Sequence, residues 1–321
     1  MHPRNTFLFR PDSRTATGKA GAVAFVTATL IVLAVPLAGA QAAPLGAGAS
    51  SATTTAVVGQ IGIHAQTGNG YWLQGGAVDP DRNRLYVGDV ASDGDPALTW
   101  VDLATNVASS IHLAGGAYAL DVAVSPLDGT VYVAQDEQSG IVTVIDPDAL
   151  YTEVSRPPTV GVGVNPQKVD AAHDGRVYVT NLDDGTISVI GRADSTDRTK
   201  VIQTLTGVET RQATTAIDTT RNLLYIASET ASVVTVVDTA ATPATVLGEF
   251  DVDDVPTGIS VDPSTGDVVV VTTDSNTASW LKPAADGDSA ALLRTEPLGT
   301  DAAANRLLPL SANAPAALCH R

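Results

Sequence analysis

Short runs of alternating apolar and polar residues extend along the chain from about residue 71 to residue 298. Clear examples are Leu120–Val124, Ile141–Asp146 and Val233–Asp238, which are rich in β-branched residues and are bounded by turns with Asp, Asn or Gly. Alternation with a period of two predicts strands that bury one face, and short polar turns between such strands predict antiparallel hairpins. The pattern therefore indicates an all-β protein.

One string recurs along this region at spacings of 46, 46, 47 and 44 residues. It consists of an Asp-Pro or equivalent pair, a turn with Gly or Asn, and a strand that usually contains Tyr. The tyrosine position is occupied in turn by Tyr86, Tyr132, Tyr178, Tyr225 and Val269. Each repeat contains four strand-like segments, which is typical of a four-stranded antiparallel β-propeller blade. The competing interpretation, an open β-solenoid, has much shorter repeats.

A sixth copy begins near the C-terminus and then stops. Residues 301–308 align with Asp79–Tyr86, but Pro309 and a tail rich in Ala and Pro follow them. Because a proline cannot donate to a central sheet ladder, the blade is expected to break off there. We therefore predict a β-propeller of five full blades plus an incomplete sixth.

The predicted organisation has four parts. Residues 43–70 include Val57–Ile63, which resembles the outermost strand of a ring-closing blade. The parts, in chain order, are a signal peptide at 1–42, an N-terminal segment at 43–70, propeller repeats at 71–300, and a degenerate or truncated blade start with a tail at 301–321.

The third repeat carries a recognisable family string. Val177–Asn181 contains Tyr-Val-Thr-Asn, and Gly185–Ile190 supplies the strand that follows it. These residues resemble the YVTN β-propeller repeats of surface-layer-type and YncE-like proteins. The resemblance spans about residues 71–298 and weakens outside the third blade, where other residues replace Thr-Asn. It implies an extracytoplasmic propeller, most often seven-bladed and mostly without a known reaction.

The first 42 residues have the layout of an export signal. A basic stretch with Arg4, Arg10, Arg14 and Lys19 precedes an apolar run from residue 20 to about residue 37, and two Ala-x-Ala frames follow. This order predicts a secretory signal peptide cleaved after residue 40 or 42, and hence a secreted or extracytoplasmic protein, free or associated with the cell surface. An uncleaved anchor is the alternative, because about 18 apolar residues can just span a bilayer.

Charge and cysteine content exclude several classes of protein. The chain has 35 Asp and Glu against 18 Lys and Arg, a net charge of −17, and removal of residues 1–42 would make it −20. Nucleic-acid binding is disfavoured, because it requires clustered basic residues. The single cysteine, Cys319, excludes a disulfide scaffold and a zinc site of several thiolates. No membrane contact is expected after the signal peptide is removed.

No catalytic signature is present in the sequence. The chain lacks a Gly-x-Ser-x-Gly elbow, a His-Glu-x-x-His motif, a P-loop and a dinucleotide fingerprint. His112 and His173 are expected on an exposed outer strand and in a solvated turn, so a histidine metal site is not predicted. Most paired carboxylates adjoin Gly, where Asp favours turns. No cofactor is therefore expected, and Ca²⁺ at such carboxylates is the alternative.

A propeller brings the loops before each inner strand and after each tyrosine strand to one face, around the central channel. Ligand sites of repeat folds usually lie on such a loop-rich face. The alternative is that these polar groups only bind the blade backbone. The candidate ligand-binding residues on this face are Tyr71, Trp72, Asp89, Tyr118, Gln135, Asp136, Lys168, Asn181, Arg211 and Glu229.

These features favour a secreted propeller that acts as a binding or scaffold module without catalysis. Its partner would be a small molecule, a glycan or a cell-surface protein. The alternative is a secreted propeller hydrolase or lyase, lactonase-like, that uses Asp89, Asp136 and Glu229 with a divalent cation at the central funnel. A quinone-linked or amine-dehydrogenase-like propeller is less favoured, because its cofactor residues are not evident.

Overall fold

A computed structural model describes part of the chain, and all the regular structure within that part is β. For the two N-terminal and two C-terminal ranges, and for Asp89 and Asp136, it describes the backbone only. The described ranges are 5–10, 29–34, 75–89, 96–113, 118–136, 140–149, 151, 156–211, 213–252, 254–298, 306–308 and 317–319.

Twenty strands form five antiparallel sheets of four strands each, and every sheet uses four strands that are consecutive in the chain. Strands β1 (Asn5–Arg10) and β2 (Thr29–Ala34) lie outside these sheets and pair with each other. The first sheet contains β3 (Gly76–Asp79), β4 (Arg84–Asp89), β5 (Ala97–Asp102) and β6 (Val107–His112). The second contains β7 (Tyr118–Val124), β8 (Val131–Asp136), β9 (Ile141–Ile145) and β10 (Thr159–Gly161).

The other three sheets repeat the same order. The third contains β11 (Pro166–Ala171), β12 (Val177–Asn181), β13 (Thr186–Ile190) and β14 (Val201–Thr206). The fourth contains β15 (Ala213–Asp218), β16 (Leu223–Ser228), β17 (Val233–Asp238) and β18 (Thr245–Asp251). The fifth contains β19 (Pro256–Val261), β20 (Val268–Thr272), β21 (Thr277–Pro283) and β22 (Ala290–Pro297).

The first strands of the sheets lie side by side. Strand β3 contacts β7, β7 contacts β11, β11 contacts β15, and β15 contacts β19. The sheets therefore radiate from a common centre that their first strands line, as blades do in a propeller. The predicted all-β propeller architecture with five full blades is confirmed.

The hydrophobic core lies between blades rather than inside them. Each of the four main clusters draws its residues from two consecutive sheets. The repeated tyrosines are its largest members: Tyr132 packs against Val169 and Val179 of the third blade and is fully buried. Because each sheet buries its faces against its neighbours, one blade alone would leave this apolar surface in water.

The turns that join the first and second strands explain the conserved spacing of each repeat. An aspartate before the turn accepts backbone N–H bonds two and three residues later, as Asp79 does from Asp81 and Arg82, both at 3.0 Å. The Gly or Asn of each turn adopts a positive φ, which a residue without a side chain or with a short amide tolerates best. These residues and φ angles are Asn83 (53°), Gly129 (78°), Gly175 (83°), Asn222 (58°) and Gly266 (75°).

Three arginines of these turns link neighbouring blades. Arg82 binds Asp148 of the second blade, with Nη2 and Oδ2 2.7 Å apart. Arg221 reaches the carbonyl oxygen of Ser264 in the fifth blade at 3.3 Å. Arg176, which is buried, donates to carbonyl oxygens of the fourth blade. We call these side chains the arginine clamps.

Beyond the fifth blade, β23 (Arg306–Leu308) lies against β19 and pairs with β24 (Ala317–Cys319). Strand β23 occupies the position that the start of a sixth copy predicts. Strand β24 was not expected, because the tail composition suggested no strand. The predicted closing strand at Val57–Ile63 lies outside the described residues. Among the described residues, no helix is long and apolar enough to cross a membrane.

Candidate functional site

The predicted site residues lie at one end of the blades, where each second strand finishes. Gln135, Asn181 and Ser228 occupy equivalent places near the ends of β8, β12 and β16, and all three are fully buried. Asp89 and Asp136 end β4 and β8, but their side chains are outside the described set. Tyr71 and Trp72 also lie outside the described residues.

Asn181 holds the turn that follows its own strand. Its Nδ2 donates to Thr186 Oγ1 at 2.9 Å and to Ser188 Oγ at 3.0 Å, and its carbonyl oxygen accepts Thr210 Oγ1 at 2.8 Å. A Cβ at Gly163 would lie 2.5 Å from Asn181 Nδ2, so the preceding loop presses against the amide. The Tyr-Val-Thr-Asn asparagine is therefore a structural link between the second and fourth blades through the third.

Gln135 and Ser228 play similar parts in the second and fourth blades. Gln135 Oε1 accepts a hydrogen bond from Thr143 of the adjacent strand. Ser228 Oγ lies 3.4 Å from the Arg211 carbonyl oxygen and 3.1 Å from Thr230 Oγ1. The alternative interpretation of these polar residues, that they bind the blade itself, describes the contacts that the structure contains.

The remaining predicted residues on this face are more accessible. Tyr118 begins β7, is 49% exposed, and lies opposite Asp136 in the sheet register. Arg211 is exposed, and its backbone N–H donates to Glu209 Oε1 at 3.1 Å. Glu229 directly follows buried Ser228 at the end of the same blade. The structure thus places these residues at the same end of the blades as predicted, in separate blades.

Lys168 differs from the others, because it lies within an inner strand. Three ionisable residues occupy the interior of the five inner strands: Asp121 on β7, and Lys168 and Asp170 on β11. The other inner strands carry apolar residues, Gly, Ser and Thr at these places, with aspartates only at their turn ends. We call Asp121, Lys168 and Asp170 the axial cluster.

Asp121 touches three blades at once. Its Oδ2 accepts the Val169 backbone N–H of the third blade at 3.1 Å. Its Oδ1 lies 2.2 Å from the point where a Cβ at Gly75, in the first blade, would stand. Only a glycine leaves room for this carboxylate. The aspartate therefore occupies the narrow space where the inner edges of three blades converge.

Burial perturbs both carboxyl groups of the axial cluster. It raises the pKa of Asp170 to about 7, an effect that a hydrogen bond from Thr215 opposes and the Asp121 charge reinforces. Burial also raises the pKa of Asp121, while the charge of Lys168 and backbone N–H bonds oppose the rise. At neutral pH the cluster therefore offers an ammonium, a carboxylate, and a carboxyl that exchanges its proton near that pH.

The candidate list from the sequence missed Asp121 and Asp170. Both lie in runs that were correctly identified as inner strands, and a charged residue inside a strand of apolar partners was the available signal. That signal was not used, because aspartates elsewhere in the chain belong to turns. The structure separates the two kinds: Asp79 ends its strand and caps a turn, whereas Asp121 lies mid-strand.

Metal ligands were considered in the same way. Within the described ranges, no three His, Cys, Asp or Glu side chains stand close enough together to hold a metal ion. His112 and His173 are exposed, on an outer strand and in a turn respectively. Calcium binding stays a prediction, because Asp89 and Asp136 belong to the side chains that are not described.

Solved structures of known proteins place the fold. The chain aligns with Kuenenia stuttgartiensis hydrazine synthase at a TM-score of 0.62 and 15% identity, covering 92% of this chain and 89% of that one. It aligns with a chain of a mitotic checkpoint complex at a TM-score of 0.60 and 13% identity, covering 77% and 71%. The chain is a β-propeller.

A third propeller with a similar fold is the periplasmic gluconolactonase PpgL of Pseudomonas aeruginosa, at a TM-score of 0.56 and 14% identity, with 71% of each chain covered. No protein-family model matches the sequence. No curated protein matches it either. Identities this low show the fold alone, so membership of the YVTN family stays a prediction that rests on the third blade.

Proposed function

We propose that the protein is an extracytoplasmic, non-enzymatic propeller that binds a small polar molecule or a glycan end at the axial cluster. The observation that supports this is the placement of Asp121, Lys168 and Asp170 inside two adjacent inner strands. Ionisable groups in such a position are costly to bury and are retained where they recognise a ligand. The −20 charge expected of the mature chain keeps an exported protein soluble.

The chemistry of the axial cluster fits a ligand with several hydroxyl groups. Lys168 donates hydrogen bonds, ionised Asp121 accepts them, and Asp170 does either according to pH. A free anion would meet Asp121, and a free cation would meet Lys168, so a neutral polyol or sugar is favoured over both. A cell-surface protein would engage the same face through its exposed residues, such as Tyr118 and Arg211.

Calorimetric titration with sugars and polyols tests this proposal. Lys168→Ala should weaken binding by about tenfold, since a charge-assisted hydrogen bond contributes roughly 1.5–3 kcal/mol. Lys200→Ala is the matched control, because Lys200 is exposed and pairs only with Asp197, at 2.7 Å, among its described contacts. Equal affinities for wild type and the Lys168 variant would exclude the axial cluster as the site.

A lactonase-like activity is the second candidate function, and one observation favours it. A carboxyl group whose pKa burial raises to about 7, as for Asp170, suits general acid–base catalysis at neutral pH. Similarity to a gluconolactonase adds only the fold. Proton release from aldonolactones, followed at constant pH, tests this function. Turnover that Asp170→Asn abolishes would establish it, and binding without turnover would support the first proposal.

Export is a separate part of the proposal, and it rests on the basic, apolar and Ala-x-Ala segments of residues 1–42. N-terminal sequencing of the protein recovered outside the cytoplasm should begin after residue 40 or 42. Retention of the apolar segment in a membrane fraction would instead support an uncleaved anchor.

A further inference from the structure

A second cavity lies at the opposite end of the strands from the predicted site face, between the first and second blades. Its volume is about 440 Å³, within the usual range for small-molecule sites. The lining comes from β4, β5 and β6 on one side and from residues 145–151 on the other. Arg84, which begins β4, lies at the cavity, whereas Asp89 at the far end of the same strand belongs to the other face.

The cavity exists because the first blade departs from the repeat. Opposite the core tyrosine, the third strands of the second, third and fourth blades carry Val144, Val189 and Val236, all buried. The first blade has Trp100 at this register position, opposite Tyr86, and the indole is only partly buried. A tryptophan in place of a valine presents a large aromatic surface to the cavity.

A long connection in the second blade forms the other wall. Residues 146–158 join β9 to β10, whereas only residues 103–106 join the corresponding strands of the first blade. Tyr151 in this connection accepts the Asp146 backbone N–H at its hydroxyl, at 2.9 Å. The wall opposite Trp100 is thus a second aromatic ring whose position is fixed by the backbone.

Charged groups at the cavity edge are already held in place. Arg84 Nη1 donates to the Pro147 carbonyl oxygen at 3.0 Å, and Arg82 binds Asp148 at 2.7 Å. Such pre-organised walls lower the entropic cost of binding. Two arginines and two aspartates, including Asp146, balance one another, so the site has no net preference for an anion or a cation.

The fifth blade provides a comparison. Trp280 occupies the register position of Trp100, but the Arg294 guanidinium stacks on its ring at 3.7 Å from the centroid. The corresponding face of Trp100 lines the cavity instead. One tryptophan is covered by its own blade, and the other is available to a ligand.

We propose that this cavity binds a neutral pyranose ring, stacked on Trp100 and hydrogen-bonded to Asp146 and Arg84. Aromatic faces pack against the C–H faces of a sugar ring, while carboxylate and guanidinium groups bind its hydroxyls. The Tyr86 hydroxyl, buried and without a hydrogen-bond partner among the described residues, adds a polar group at the cavity wall. This site is separate from the axial cluster and does not depend on it.

Titration calorimetry and saturation-transfer NMR with methyl pyranosides test the proposal. Trp100→Val introduces the residue that three other blades carry, so the fold should persist, and it should weaken binding by about tenfold or more. Trp280→Val is the matched control and should leave the affinity unchanged. Asp146→Asn keeps the turn and should weaken binding while the melting temperature stays constant.

Two further arms define the outcome. A polysaccharide that binds when free pyranosides do not would identify a glycan end as the natural ligand, and Trp100→Val must abolish that binding as well. Lys168→Ala should not affect the pyranoside affinity, which separates this site from the proposed axial one. Absence of binding by both pyranosides and polysaccharide, or equal binding by wild type and Trp100→Val, would overturn the proposal.

Discussion

The arginine clamp at Arg176 offers the sharpest test of how the blades are held together. The side chain is 4% exposed, and its Nε lies 2.6 Å from Asp174 Oδ2 within the same turn. Its Nη1 donates to the Ala241 carbonyl oxygen at 2.8 Å, and its Nη2 donates to the Thr239 carbonyl oxygen. Arg176→Met keeps the apolar stem and removes all three charge-assisted bonds.

The expected loss of unfolding free energy is about 3–5 kcal/mol, the typical cost of breaking a buried charge pair. Two buried carbonyl groups in the fourth blade lose their donors, and each contributes roughly 1–3 kcal/mol to the penalty. Asp174 contributes less, because its side chain is 35% exposed and regains water. Since domains are stable by about 5–15 kcal/mol, the variant should remain folded but melt well below wild type.

Urea denaturation followed by circular dichroism measures the effect. Arg192→Met is the control: it removes an arginine of the same blade whose ion pair with Asp194 has side chains 52% and 45% exposed. That control should change stability by less than about 0.5 kcal/mol. Arg176→Lys should fall in between, since a lysine keeps the charge but cannot fork to two carbonyls. If the Arg176 and Arg192 variants behaved alike, the clamp would not hold these blades together.

Three further predictions concern single groups in the core and at the axis. Because the folded-state pKa of Asp170 is raised to about 7, wild-type stability should be highest in acid and fall as pH rises through 7, and Asp170→Asn should remove that fall, gaining about 1–3 kcal/mol at pH 8 and little at pH 4 in melting curves. Tyr132→Phe should leave the urea midpoint unchanged or raise it, because the buried hydroxyl has no partner among the described residues; a loss above about 1 kcal/mol would show that the hydroxyl is bound. Gly75→Ala should cost roughly 1–3 kcal/mol, since its Cβ would lie 2.2 Å from Asp121 Oδ1, whereas Gly161→Ala, with nothing within 4 Å, should be neutral by the same assay.

The strands and blades of this protein could be predicted from the sequence because they depend on local chemistry. Alternation of apolar residues, Asp before a turn, and Gly or Asn within it recur at short range, and the structure has a strand wherever Tyr86, Tyr132, Tyr178 and Tyr225 marked one. The placement of candidate residues at one end of the blades followed from the same strand order.

The use of each polar side chain could not be predicted in this way. Asn181 belonged to the strongest motif in the chain and was chosen as a ligand-binding candidate, yet neighbouring blades bury it and its amide binds Thr186 and Ser188. Asp121 was passed over, yet it lies where three blades meet. Whether a polar group is occupied or available depends on groups that the fold brings near it.

The sequence by itself therefore determined the repeat, its strands and its turns, since these arise from residues a few positions apart. The tertiary structure decided which blade faces meet, and with them the clamps, the axial cluster and the cavity beside Trp100. Arg176 reaches oxygens 63 and 65 residues away along the chain, and such contacts depend on how sheets stack rather than on any local pattern.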